Sequence, residues 1–424
     1  MKCEVLVIGA GPAGCAAART LAQSDVDVLL IDQHQLGRDK VCGDGLIPDA
    51  HSALRKLGLW SQVADQALHL PTIECIGPRG GQIHVPGQLA VLSRQVLDKI
   101  LCLGAQEAGA RFMAGVKYRS AILDSSGTVC GARVQIDGIA QEIIANQVIL
   151  ATGANSVALT DSDLCQRTSP SGVALRCYIE APRAMVDWQY MSIVWSKLIH
   201  PGYGWIFPGP NGVFNVGVGV VSEREKSNKS SIKSIAQKYL FNNNPHASSQ
   251  SKQQYRMGNL RKIFEQFVEQ HPPAAKLLQH GKMIGDLKGA PLRCGLTGAR
   301  WSRPGLLAIG DAIGSTYDFT GEGIGKAMET GILAAEALID SRHQKHSAQQ
   351  TCLQYEKSLH QLMPKYNSYA KANNVNEYPW LMDLVIWRAQ KSPRVLQSMT
   401  NFLNEKSNPA KIFTLKGAKR LLFD

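Results

Sequence analysis

CEVLVIGAGPAGCAAARTLAQSDVDVLLID, residues 3–32, decides the fold. Cys3 to Ile8 form an apolar run of strand length, and Ala16 to Leu21 have helical composition. Val26 to Ile31 make a second strand that ends in Asp32. Between strand and helix stand Gly9, Gly11 and Gly14, spaced G-x-G-x-x-G. The first glycine permits the tight turn, and the second lets backbone approach a pyrophosphate. The third allows the helix to pack closely on the strand, and the acid closing the second strand can hold ribose hydroxyls. A lone glycine motif says little, since an incidental βαβ turn can carry one. Here strand, helix, second strand and acid all stand where a dinucleotide site needs them.

Far downstream a second stretch repeats that logic. Leu306 to Ile309 read as a buried strand closed by Gly310 and Asp311, and Thr320-Gly321-Glu322-Gly323-Ile324 opens an alanine-rich helix. A carboxylate at a strand end accepts hydrogen bonds from ligand hydroxyls. A glycine-rich helix start offers free N–H groups and partial positive charge to an electron-rich ring. The alternative is that the glycines are only turn residues.

Composition bounds the rest. The chain has 424 residues, 44% hydrophobic and 19% charged, enough for a large core. No apolar run reaches the roughly 18–20 residues of a membrane span. The first strand starts at Cys3, which leaves no room for a signal peptide, and the 10 cysteines show no paired or zinc-like spacing. A reduced, cytoplasmic protein without a bound metal is expected. The net charge of +12 suits an anionic ligand, an anionic membrane or an acidic partner. No nucleic-acid motif is present, and none of that chemistry is expected.

The fingerprint, with the Gly-Asp-Ala step and the glycine-rich helix start downstream, resembles the FAD-binding hydroxylase superfamily. The resemblance covers most of residues 1–340. It implies non-covalent FAD, with Gly9, Gly11, Gly14 and Asp32 on the ADP half and Asp311, after Gly310, on the ribityl chain. It also implies Arg94 near the ribityl and phosphates, and Gly321, Gly323 and Ile324 at the ring. GRDKVCGDGLIPDA, residues 37–50, resembles the cysteine loop of the geranylgeranyl reductase-like branch. Tyr203-Gly-Trp205-Ile-Phe207-Pro208, followed by Gly217-Val-Gly219, is similar to that branch's Y-x-W-x-F-P…G-x-G segment. The branch holds prenyl reductases together with flavin hydroxylases that act in tryptophylquinone maturation.

The implied fold is α/β, a Rossmann-like FAD-binding domain of the p-hydroxybenzoate hydroxylase type with an antiparallel-sheet substrate domain and a helical C-terminal region. Residues 1–70, 92–172 and 285–340 are expected in the first, 71–91 and 173–284 in the second and 341–424 in the third. Residues 51–66 look helical, 222–241 look like a solvated helix and 242–254 like a loop. Tyr203, Trp205 and Phe207 are expected to line a chamber for a bulky apolar or aromatic substrate, their alternative being ordinary sheet packing.

Cys42 could tune the flavin, donate a proton, line the channel or simply fill space. Asp318 departs from the proline that relatives carry beside the flavin. It could act as acid or base on a ring substrate, or merely cap its turn. Thr152, in place of the aspartate that hydroxylases carry, weakens any specific claim of nicotinamide use, and the lack of a second fingerprint implies that NAD(P)H or another reductant binds only transiently. Asp318 tilts the expectation toward a monooxygenase hydroxylating an aromatic ring, including a tryptophan side chain of a partner protein. The alternatives are an isoprenoid C=C reductase, whose basic tail would touch a membrane peripherally, and a non-catalytic flavin-binding maturation factor.

Overall fold

The structure is a computed structural model that describes residues 1–183, 188–221 and 249–407, with side chains from 260 onward in the last segment. Its first sheet has parallel strands in the order Leu306–Ala308, Ile139–Leu150, Lys2–Ile8, Val28–Asp32 and Arg111–Ala114. Ser302–Arg303 pairs antiparallel on the outer edge, and Val116–Leu123 and Val129–Ile136 extend the sheet antiparallel from Ile139–Leu150. A parallel sheet is covered on both faces, which is why its strands are continuous apolar runs. Leu6 and Val7 are fully buried. The helix Pro12–Ala22 starts with proline, whose missing N–H costs nothing in a first turn. Its small residues let the helix Ile324–Gln344 come close, and a methyl on Gly331 would overlap the Ala13 carbonyl.

The second sheet runs Lys282–Leu292, Gly172–Glu180, Val213–Val221, Gly202–Pro208, Met191–Val194, Leu68–Ile76, Gln82–Val91 and Gly45–Leu46. All its pairs are antiparallel except Met191–Val194 with Leu68–Ile76. The helices Ser249–Gln270 and Pro272–His280 close one face, where Phe264, Phe267 and Leu277 meet Ile206, Val216 and Val218. The other face turns toward the first sheet. The expected α/β fold, with its antiparallel sheet and helical C-terminal region, is the one observed.

Several details differ from the sequence reading. The segment 51–66 is two helices, Pro48–Lys56 and Trp60–Ala64, because Gly58 at φ 70° breaks the first one. Residues 249–254 of the expected loop belong to the helix Ser249–Gln270, whose apolar stripe further along seats it on the sheet. The remainder of that loop and the solvated helix expected at 222–241 lie outside the described residues. The strands Leu68–Ile76 and Lys282–Leu292 run across the domain boundaries expected at 70/71 and 284/285. After Ile324–Gln344 the C-terminal region continues as Ala348–Ala372, Asn374–Glu377, Trp380–Lys391 and Pro393–Leu403.

Candidate active site

The glycine turn at Gly9–Gly14 joins the strand Lys2–Ile8 to its helix at the carboxyl edge of the parallel sheet. Gly9 holds φ 111°, and a methyl there would overlap the Ala151 carbonyl of the neighbouring strand's exit. Gly14 faces the Gly9 carbonyl so closely that a methyl would overlap it. Gly11 is different. Space in front of it is open, and the nearest atom to a methyl would be Lys40 Nζ at 3.7 Å. The helix has no side-chain cap, so its first N–H groups are available to a ligand.

Asp32 accepts from the Ala10 amide (2.8 Å) and the His34 amide (2.8 Å), which fixes the carboxylate at the end of its strand. Thr152 Oγ1 is buried without a hydrogen-bond partner beside the same turn. Lys40 Nζ also lies 3.8 Å from where a methyl on Gly153 would stand. Burial, together with the nearby Arg94 and Arg38 charges, pushes the Lys40 ammonium down from its usual range. Crowded cations, bare amides and an orphaned hydroxyl fit a pyrophosphate.

Asp311 sits in the one-turn helix Gly310–Ile313 and accepts from Thr316 Oγ1 at 2.8 Å. Gly310 stands against Ala13, so the Gly-Asp-Ala step lies directly beside the fingerprint helix. Arg94 is buried, and its guanidinium forks onto Asp98 with two bonds of 2.7 Å. That pairing holds the Arg94 charge firmly in place next to Cys42. Gly321, at φ 66°, gives room to the Tyr203 hydroxyl, which donates to the Thr320 carbonyl. Gly323 caps the helix that Ile324 begins, so the glycine loop meets the aromatic strand.

Tyr203, Trp205 and Phe207 alternate along the strand Gly202–Pro208 and therefore share one face. Trp205 and Phe207 are buried and Tyr203 half-buried. In the register, Trp205 pairs with Gly217 and Tyr203 with Gly219. A methyl on Gly217 would overlap the Trp205 indole, so the Gly217-Val-Gly219 spacing exists to let that ring lie flat across the neighbouring strand. The cysteine loop packs on the same rings. A methyl on Gly43 would stand 3.3 Å from Phe207 and 3.6 Å from Trp205 Nε1. Three motifs distant in sequence thus meet at one wall.

At the centre is Asp44, which the sequence reading does not single out. It has φ 64° and is buried. Its Oδ2 accepts from Tyr178 OH (2.5 Å) and Asn215 Nδ2 (2.8 Å), and its Oδ1 from the Arg94 amide (3.3 Å). Asn215 also donates to the Cys42 carbonyl (2.7 Å) and accepts from Trp205 Nε1 (2.8 Å). Burial pushes the Asp44 carboxyl up to about 6 despite those donors. Burial, with the Asp44 charge added, also raises the Cys42 thiol, so Cys42 is a neutral thiol at pH 7. Arg176 stacks over Tyr178 at 4.1 Å and pairs with Asp39, tying the loop to the strand Gly172–Glu180.

Asp318 is buried in the turn where the Gly321 amide bonds the Tyr317 carbonyl at 3.1 Å. The charged neighbours of Glu322 are Asp49, Lys326 and Glu405. Asp49, Glu322 and Glu405 bring carboxylate oxygens within 4.8 Å of one another. Lys326, 3.5 Å from Asp49 and 3.4 Å from Glu405, supplies a cation there. Burial and the neighbouring Asp49 raise the Glu322 carboxyl.

Residues 2–259 match the family described as FAD binding domain. Menaquinone reductase of Mycobacterium tuberculosis is 32% identical over 351 residues, covering 80% of this chain and 77% of the relative. Digeranylgeranylglycerophospholipid reductase of Methanothrix thermoacetophila is 26% identical and covers 84% of this chain and 83% of its own. Among solved structures, a geranylgeranyl bacteriochlorophyll reductase-like protein from Thermoplasma acidophilum superposes with a TM-score of 0.73. It has 21% identity and covers 100% of this chain and 96% of the other. A flavin-dependent brominase gives a TM-score of 0.70 at 18% identity, over 100% of this chain and 97% of its own. The two superpositions show the fold.

Proposed function

This chain belongs to the FAD binding domain family, and on that premise we propose that it saturates a carbon–carbon double bond in the isoprenoid part of a bulky lipid. It is an FAD-dependent oxidoreductase, and the named activity of its relatives supports reduction over oxygenation. The observation that carries the reading is the meeting of the cysteine loop with the aromatic strand, which sets one buried acid against an apolar wall. An isoprenoid offers nothing polar to bind, so walls of Tyr203, Trp205 and Phe207 suit it.

Saturation adds two electrons and two protons in total, delivered as a hydride and a proton. FAD held there, once reduced by NAD(P)H or another donor, would supply the hydride. The protein supplies the proton and the geometry. Oδ2 of Asp44 already accepts two hydrogen bonds, so the proton of the neutral acid resides on Oδ1, which has only the 3.3 Å bond. Tyr178 and Asn215 hold the carboxyl against the loop, and Asn215 couples its position to the Trp205 ring. The neutral Cys42 thiol is a second proton-bearing group on the same loop. Lys40, Gly11 and the uncapped helix start would hold the pyrophosphate, and Asp32 and Asp311 would hold ribose and ribityl hydroxyls.

Ring hydroxylation, on a small aromatic or on a partner protein's tryptophan, is the second reading. It is favoured by Asp318, which lies in the turn whose Thr320 carbonyl holds Tyr203. The experiment is product analysis from a polyprenyl quinone and from aromatic candidates, under argon and under labelled oxygen. A product two hydrogens heavier in its isoprenoid chain, after the ring is reoxidised to the quinone, is expected under argon. Label in the product would replace the proposal with the second reading, and no turnover of either class would leave a flavin-binding maturation factor.

A further inference from the structure

The helix Trp380–Lys391 buries Leu381, Met382, Val385, Ile386 and Ala389 against the body of the protein. Its opposite side carries Trp380, Leu384, Trp387 and Lys391, spaced i, i+4, i+7 and i+11, so all four share one face. Trp380 is 51% exposed and Trp387 45%. Large indoles left in water on one face are a costly arrangement for a soluble surface and mark a contact. The cation–π pair of Lys391 over Trp387, at 4.6 Å, sets an ammonium beside the indole.

The charge around this face is net positive. Residues 378–407 contain Arg388, Lys391, Arg394 and Lys406 against Asp383 and Glu405. Both acids are spent internally. Asp383 accepts from the Arg79 amide at 3.0 Å and pairs with its guanidinium, and Glu405 pairs with Lys365 at 2.8 Å. Arg79 itself is exposed at the tip of the adjoining turn. Indoles flanked by outward lysine and arginine, with no outward acid among the residues 378–407, match the boundary of an anionic bilayer. No helix among the described residues is long and apolar enough to cross a membrane, so the contact would be peripheral.

We propose that the face formed by Trp380, Leu384, Trp387 and Lys391, with Arg79 and Arg394 beside it, docks the protein on an anionic phospholipid surface. The inference rests on the reading above in that an isoprenoid substrate has to be drawn from a bilayer. A short chain of contacts ties this helix to the aromatic strand. Asn376, one turn before the helix, accepts from Trp195 Nε1 at 2.9 Å and donates to the Phe319 carbonyl at 3.1 Å. Trp195 in turn stands 6.0 Å from Tyr203, centroid to centroid.

The test is co-sedimentation of the FAD-loaded full chain with phosphatidylcholine vesicles, with and without phosphatidylglycerol. Wild type should bind the anionic vesicles and release in high salt. Trp380→Ser with Trp387→Ser should weaken binding at least about tenfold, and Lys391→Glu with Arg394→Glu should abolish the preference for phosphatidylglycerol. Melting temperature and FAD content should be unchanged in all variants, because these side chains are exposed. Turnover of detergent-dispersed substrate should also be unchanged, so failed docking and a failed reaction assignment read out separately. Wild type remaining in the supernatant, or the double tryptophan variant binding equally well, overturns the proposal. A dimer that forms without vesicles and is lost in the tryptophan variant overturns it too, by assigning the face to a second copy.

Discussion

Asp44→Asn separates what the buried acid does for the fold from what it does for the reaction. Burial pushes its carboxyl up to about 6 from an ordinary 3.8. At 1.36 kcal/mol per unit, ionised Asp44 costs the folded state about 3 kcal/mol above pH 6. The sign follows from the raised value: the folded state holds the proton more tightly than the unfolded chain. That cost is therefore absent below pH 3.8, grows between 3.8 and about 6, and is constant above. Asparagine removes the charge but has one acceptor and one donor end. Placing its oxygen at the Oδ2 position keeps Tyr178 and Asn215 but turns its amide onto the Arg94 N–H. The reverse orientation opposes the Asn215 amide, which cannot flip because Trp205 holds its oxygen. Either way a buried bond is lost, for about 1–3 kcal/mol. The two effects nearly cancel at pH 7.5, and the asparagine variant should be the less stable protein near pH 4.5. Thermal melts across that range should show the difference between variant and wild type shrinking or changing sign as pH rises. Turnover should tell the other half. The wild-type rate should fall about tenfold per unit above pH 6 as the neutral acid is depleted, and the variant should lose about 10²–10⁴-fold and the alkaline limb with it. A stability difference that is flat with pH would show that the carboxyl does not ionise there. A fully active variant with the wild-type profile would remove Asp44 from the chemistry.

Gly217→Ala should push the Trp205 ring off its seat and cost about 1–3 kcal/mol in melting experiments, with kcat/KM reduced. Gly219→Ala is the control, because its methyl would meet Trp205 no closer than 3.6 Å. Lys40→Met should weaken FAD about tenfold or more and flatten the salt dependence of its binding in fluorescence titrations. Unchanged affinity would place Lys40 outside the pyrophosphate site. Asp318→Asn should keep both FAD and turnover if the protein is a reductase, whereas a loss of about 10²-fold or more in turnover would point to ring chemistry.

The parallel half of the fold was legible because its physics is local. Buried strands there are apolar runs, and the Gly9–Gly14 turn has few alternatives that satisfy its geometry. The antiparallel half was legible as strands but not as an order. The parallel pairing of Met191–Val194 with Leu68–Ile76 joins segments far apart in the chain, and no turn residue announces it. At the site, the motif residues stood out by spacing, while the groups that connect them did not. Asp44 between two glycines reads as a turn, and Lys40 as a surface lysine. One clue was present. Asn215 interrupts the apolar strand Val213–Val221 at an inward position, and a buried amide must have partners. Asking for those partners leads to Asp44, Cys42 and Trp205.

The central claim is that electrons pass from bound, reduced FAD into an isoprenoid double bond without oxygen. The direct measurement reduces the flavin in a sealed, oxygen-free cuvette and adds one equivalent of a polyprenyl quinone whose ring is already reduced, so that only the chain can accept electrons. The account predicts that the visible flavin band returns and that one double bond disappears from the lipid per flavin reoxidised. A band that stays bleached until oxygen is admitted, with the lipid chain intact, would contradict it.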